Sequence, residues 1–349
     1  MSQTTSTATR ADAPGKRLPL LQFSVTLLIF LMLPAVLPML GISLNLGTEI
    51  MIIALFAMGY NILLGTTGLP AFGHAAFFGV GAYAAAIVNL QGWTGFVPGL
   101  VASTLSGVIA AFLVGILVMR KRGIYFGLLT LAFGQMFFIL ALRLDEVTGG
   151  ETGLTGLRRP SLLGMDLADP ANFYWAVLIV FALSVLLIWK ITHSPFGSVL
   201  TAIKGNEIRT QYLGYQTAHY KLVAFMISGA FAGLAGGLFA WHQYAAYPQT
   251  LFWVESGNIV IMTLLGGGLT SFLGPVLGAA VFVGAQDFIS SYTEHWMFFF
   301  GLLFILVVTT CPNGLPEATS RLWNSLRKRL GRDDRRTQAL GKESKAWKS

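Results

Sequence analysis

The sequence predicts an all-α fold: a polytopic transmembrane helix bundle of about 8–10 spans, several of them short or broken. Three observations predict it. Of 349 residues, 54% are hydrophobic and only 11% charged, with a mean hydropathy of +0.67, which is not the composition of a soluble core. The apolar residues gather in runs of roughly 20, the length a helix needs to cross a bilayer with every backbone polar group bonded internally. The basic residues fall in the intervals between those runs, and mostly in alternate ones.

Taken in order, residues 1–17 are polar and Ser/Thr-rich and read as a disordered cytoplasmic tail. The run from Leu18 is too long for a signal-peptide core and no small-residue cleavage site follows it, so it reads as a span. Helices are expected near 18–41, 48–65, 70–90, 97–119, 123–142, 173–191, 221–243, 256–272, 274–291 and 296–312. The membrane domain is thus 18–315, with a cytoplasmic loop at 192–220, and 316–349 is a basic cytoplasmic tail.

With the N-terminus inside, 20 of the 23 Lys and Arg residues lie in cytoplasmic segments and only Arg143, Arg158 and Arg159 outside. This topology and contact with anionic lipid account for the net charge of +8, so nucleic acid need not be invoked.

The polar interval Ser194–Lys221 reads as two short helices. Ser194 caps the first, with Pro195 at its first position, and Lys204-Gly205 ends it. Asn206 caps the second, Glu207 lies in its first turn where a carboxylate suits the helix dipole, and Gly214 supplies a left-handed stop. Val199, Ala202 and Ile203 are expected to share one face, Ile208 and Tyr212 another. Such a pair can dock on a partner, or it can be an ordinary loop packed on its own helix ends.

The opposite loop, 143–172, carries Asp145, Glu146, Glu151, Asp166 and Asp169. Its TGGETGL segment has the glycines that positive-φ turns need, and a lid, an external docking surface and a solvated connector all fit. Gly229, Gly233 and Gly237 form a small-residue ladder, and Gly274 with Gly278 repeats it. Both predict close helix packing.

Leu64–Ala86 differs in kind, because Gly65, Gly68, Pro70 and Gly73 interrupt a membrane-depth run. A broken helix survives there only when buried in protein or lining a wet cavity, which makes Asn61, Thr66, Thr67, Gly68, Gly73 and His74 the candidates for a translocation path. LLGGGLTSFLGP at 264–275 is a second interrupted stretch, with Gly268, Leu269 and Phe272 echoing Gly68, Leu69 and Phe72. His74 and Asp287, the latter beside Gln286, are the ionisable candidates at membrane depth. Each is a candidate for the path; the alternative for His74 is a bond to a neighbouring helix backbone, and for Asp287 a place near the outer interface.

Several chemistries are excluded. There is no GxxxxGK[ST] phosphate loop, since Gly15-Lys16 and Gly341-Lys342 lack the upstream glycine, so the chain carries no P-loop ATPase. A single cysteine, Cys311, precludes an internal disulfide or a Cys-based metal site, and the five His have no ligand spacing, so no metal is expected. No GxSxG or HExxH occurs, and no enzyme activity is expected.

Four blocks, in order, resemble one family. GTTGLPAFGHAAFFGVGAYAAAI, RGIYFGLLTLAFGQ with TGGETGL, SPFGSVLTAIKGNEIRTQYLGYQTAHYKLVAFMISGAFAGLAGGL, and LLGGGLTSFLGPVLGA are similar to signatures of the LivM-like permeases of branched-chain amino acid ABC importers, over about Leu46–Leu315. The resemblance implies that Ser194–Lys221 is a coupling element seated on an ATPase subunit, with Glu207, Gly214 and Lys221 matching the family's loop pattern; Asn206 and Arg209 are further coupling candidates, and Arg209, Thr210 and Gln211 depart from the small pair usual after the Glu. It further implies a second permease subunit, two ATPase subunits that bind the ATP, and a periplasmic substrate-binding protein, in a bacterial inner membrane. The chain itself would hold no cofactor. The cargo would be a branched-chain amino acid or a related small solute. An ion-coupled secondary transporter is the alternative, and it requires a relay of membrane-depth carboxylates or His.

Overall fold

The computed structural model describes residues 28–34 and 43–309, apart from 94, 122, 163, 269, 270, 294, 296, 300, 303, 304 and 306–308. In chain order the helices are α1 (Leu44–Asn61), continued by a π-helical turn (Ile62–Thr67), α2 (Ala75–Leu90), α3 (Phe96–Val118), α4 (Ile124–Arg143), α5 (Asp145–Thr148), α6 (Pro170–Thr192), α7 (Pro195–Gly205), α8 (Glu207–Tyr212), α9 (Thr217–Gln243), α10 (Trp253–Leu265) and α11 (Gly274–Ser290). Among the described residues five helices are long and apolar enough to cross a membrane: α1 with its π turn, α3, α4, α6 and α9. Three shorter apolar helices, α2, α10 and α11, join them. Residues 28–34 are helical and rest on α6, where the Tyr174 hydroxyl donates to the Phe30 carbonyl. Most of the expected 18–41 and 296–312 spans, and both tails, lie outside the described residues.

The bundle is built around α9, which packs on α1, α2 and α3, while α6 and α11 close on the other side of α1 and α10 rests on α11. The glycine ladder dictates this arrangement. A Cβ on Gly233 would come within 2.3 Å of the Ser103 carbonyl oxygen, and one on Gly229 within 2.4 Å of the Ala111 Cβ, so α9 and α3 meet backbone to backbone. The faces turned away are apolar: Val101, Leu105, Ile109 and Leu113 on α3 and Ile179, Leu183 and Leu187 on α6 are all exposed. Such a belt of large aliphatic side chains suits lipid rather than water.

The spans depart from expectation at the interruptions. The helix expected over 70–90 begins only at Ala75, because Gly68 is left-handed (φ +73°) and Pro70 follows two residues later. The helix expected over 256–272 stops at Leu265, with Gly267 at φ +72°. In contrast, α9 starts four residues early, at Thr217, so Lys221 belongs to its first turns.

The 143–172 loop is tied to the bundle at several points, while its acidic residues Asp145, Glu146, Glu151, Asp166 and Asp169 stay exposed. Positive-φ Gly149, Gly150 and Gly153 turn it as their sequence suggested. Its β1 (Leu154–Thr155) pairs antiparallel with β4 (Ala245–Ala246), while β2 (Ser161–Leu162) and β3 (Met165–Asp166) form a hairpin. Asn89 clasps Arg158, its amide donating to the carbonyl at 2.9 Å and its oxygen accepting from the Arg158 N–H at 3.2 Å. Arg159 is buried between the Phe173 and Tyr244 rings, at 4.3 and 4.6 Å, and burial lowers its pKa.

Candidate functional site

Three features meet at the α7 end of the bundle: the broken end of α1, a cleft beside it, and the α7–α8 pair. The break at 68–74 leaves backbone N–H groups without helical partners, and neighbouring helices supply them. Thr130 Oγ1 on α4 accepts from the Phe72 N–H at 3.1 Å, and Ser256 Oγ on α10 accepts from the Ala75 N–H at 2.9 Å. The close approach needs a glycine: a Cβ on Gly73 would sit 1.8 Å from the Thr130 carbonyl oxygen. Thr130 and Ser256 were not singled out by sequence reasoning, although a hydroxyl in an apolar run was the available signal.

His74 lies behind this wall, fully buried among Phe56, Tyr60, Phe77 and Phe225, with Nε2 2.8 Å from Ser228 Oγ. Ser228 Oγ also donates to the Gly59 carbonyl at 2.7 Å. Thr67 is buried too and donates to the Ile62 carbonyl within its own π turn. Of the path candidates, Asn61 and Thr66 reach a cleft of about 210 Å³, lined also by Gly65, Thr192, Ser271 and Phe272. Gly68 stands exposed beside α7, and Gly73 and His74 are buried away from the cleft. Asp287 is exposed on α11.

At the back of the cleft the two interrupted stretches meet. A Cβ on Gly65 would lie 2.7 Å from the Gly268 carbonyl oxygen and 2.2 Å from Asn61 Oδ1. Asn61 is 9% exposed, and its Oδ1 is buried without a hydrogen-bond partner among the described residues. Thr66, Thr192 and Ser271 give the cleft a polar lining.

The α7–α8 pair follows its caps. Ser194 Oγ accepts from the Gly197 N–H at 3.4 Å, Asn206 Oδ1 from the Arg209 N–H at 2.9 Å, and Gly214 is left-handed at φ +91°. The buried face of α7 consists of Leu200 and Ile203, with Val199 half-buried. Ala202 is exposed, which corrects its expected place on that face. Ile208 and Tyr212 are also exposed, as is Leu213 (53%, 87% and 71%), so α8 turns its apolar residues away from its own chain.

What anchors α8 is Glu207, whose Oε1 accepts from Lys221 Nζ at 2.8 Å and from Thr217 Oγ1 at 3.1 Å. Thr217 in turn accepts from Gln211 Nε2 at 2.8 Å. Arg209 is exposed, whereas Thr210 is buried and donates to the Asn206 carbonyl. Lys221 is itself only 2% exposed: it braces the pair from behind and offers nothing to an external surface.

Comparison with known proteins places this architecture. The family described as the branched-chain amino acid transport system permease component matches residues 42–308. The chain is 31% identical, over 79% of its length and 70% of theirs, to the high-affinity branched-chain amino acid transport system permease proteins LivM of Salmonella typhimurium and Escherichia coli. It is also 29% identical to the autoinducer 2 import system permease protein LsrC of Salmonella typhimurium, over 51% of each chain. No solved structure matches. A multi-pass bundle with these signatures, aligned through every element of the site, belongs to the LivM-like branch of the branched-chain amino acid transport permease family.

Proposed function

We propose that the chain is the permease subunit of an ABC importer that carries branched-chain amino acids, or closely related small solutes, delivered by a periplasmic binding protein across a bacterial inner membrane. It works with a second permease subunit and two ATPase subunits, which bind the ATP. Both termini and the α7–α8 pair face the cytoplasm, in keeping with the placement of the basic residues.

The observation that carries this reading is the construction of α8. Its apolar side chains Ile208, Tyr212 and Leu213 point outward while Glu207 ties it inward to Lys221, so a partner that grips the exposed face moves α9 with it. Asn206 and Gly214 set the ends of this lever, and Arg209 lies on its exposed surface. Asn61, Gly65 and Thr66 line the inner part of the path, Gly68 flanks it, and Thr67, Gly73 and His74 form the wall behind. ATP-driven closure of the ATPases then shifts the population between inward-open and outward-open states.

Copurification from membranes with the ATPases and second permease, followed by uptake from a panel of radiolabelled amino acids, tests this. A stable four-subunit membrane complex that concentrates leucine, isoleucine or valine only with binding protein and ATP is the expected result. Concentrative uptake by the purified chain alone, driven by an ion gradient, would overturn it.

A further inference from the structure

α7 packs against the broken end of α1, and one of its side chains bonds directly to it. Lys204, in the last turn of α7, reaches across and donates from Nζ to the Gly65 carbonyl at 2.6 Å. Its stem crosses Gly68, where an added Cβ would lie 2.9 Å from Lys204 Cγ. Gly65 lines the cleft and abuts both Asn61 and Gly268. The carbonyl that Lys204 holds lies near the C-terminal end of a helical stretch running from Leu44 to Thr67, where the helix dipole favours a cation.

We propose that Lys204 is a positioning residue in transport: its ammonium grips the Gly65 carbonyl so that displacement of α7 is passed directly to the wall of the cleft. This rests on the reading of α7–α8 as the element an ATPase pushes. The two ties of the pair differ in kind. The Glu207–Lys221 ion pair is buried and joins α8 to the packed mass of α9. The Lys204–Gly65 bond is exposed, with a neutral acceptor and water ready to replace it, so it can break and reform within a cycle. Lys204 therefore acts as a releasable latch, set beside a fixed joint.

The test uses the assembled complex in proteoliposomes, with wild type, Lys204→Met and Lys204→Arg compared for yield, ATP hydrolysis and solute imported per ATP. Lys204→Met is expected to assemble and hydrolyse ATP normally while the solute-to-ATP ratio falls roughly tenfold, the shift expected from one charge-assisted hydrogen bond, and Lys204→Arg is expected to recover most of it. An unchanged ratio in Lys204→Met overturns the inference, and so does a loss of assembly, which would reassign Lys204 to folding. A wild-type chain that pairs with no ATPase removes the underlying reading and this inference together, whereas a coupled wild type with an indifferent Lys204→Met removes this inference alone.

Discussion

Lys221 Nζ lies 2.8 Å from Glu207 Oε1, with the lysine side chain 3% exposed and the carboxylate 19%, so one buried ion pair joins the first turn of α8 to the start of α9. A buried charge without its partner is costly, and Glu207→Ala strands Lys221. The expected loss is about 3–5 kcal/mol of local stability, seen as a lower thermal midpoint of the solubilised protein. The double variant Glu207→Leu/Lys221→Met is expected to regain much of that midpoint while still failing to couple ATP hydrolysis to uptake. A double variant as unstable as Glu207→Ala would show that the cost is not the uncompensated charge.

A Cβ added at Gly214 would meet nothing within 4 Å, but its φ is +91°, so a side chain there is opposed by backbone strain alone. Gly214→Val is expected to redirect the exit from α8 and uncouple uptake from ATP hydrolysis, while Gly214→Asn, whose residue type visits the left-handed region more readily, retains more function. Equal coupling in both variants, measured as solute moved per ATP, would contradict this.

At Gly68 the strain of φ +73° is joined by a collision with the Lys204 stem. Gly68→Leu is expected to abolish uptake while copurification with the ATPases persists, since the α8 surface is untouched. Uptake at the wild-type rate would detach the broken stretch from the path.

The α9–α3 contact makes a different prediction. Gly233→Leu drives a side chain into the Ser103 carbonyl, and is expected to cost at least about 1–3 kcal/mol and to lower the yield of folded protein. Gly257→Leu, at a helical position with nothing within 4 Å, is the control and is expected to express normally. Detergent-extracted yield by gel filtration compares the two.

His74 discriminates between transport classes. Because it is buried and bonded to Ser228 rather than facing the cleft, His74→Leu is expected to cost about 1 kcal/mol of stability and to leave uptake per folded complex near wild type. Loss of uptake at full stability would instead mark His74 as part of a proton relay.

The amino-acid sequence was enough to indicate most of the helices among the described residues, the glycine ladder, the two interruptions and the capped pair after Ser194, because each is written in neighbouring residues: hydrophobic runs, small residues four apart, and the cap chemistry of Ser194, Asn206 and Gly214. It could not say where the side chains of those elements end up. Ala202 and Leu200 are both apolar and two residues apart, yet only the packing of α7 on the bundle decides which is buried. His74 and Asn61 are both polar groups beside a break, yet one lies buried among aromatic rings and the other at a cleft. Lys204 looks like an ordinary last-turn cation until tertiary structure brings the Gly65 carbonyl, 139 positions away, within its reach. Local signals act over a few residues through backbone geometry, whereas partners such as Ser256 for Ala75, Gly268 for Gly65 and Thr130 for Phe72 depend on how whole helices cross, and that is settled by the close packing of the complete bundle.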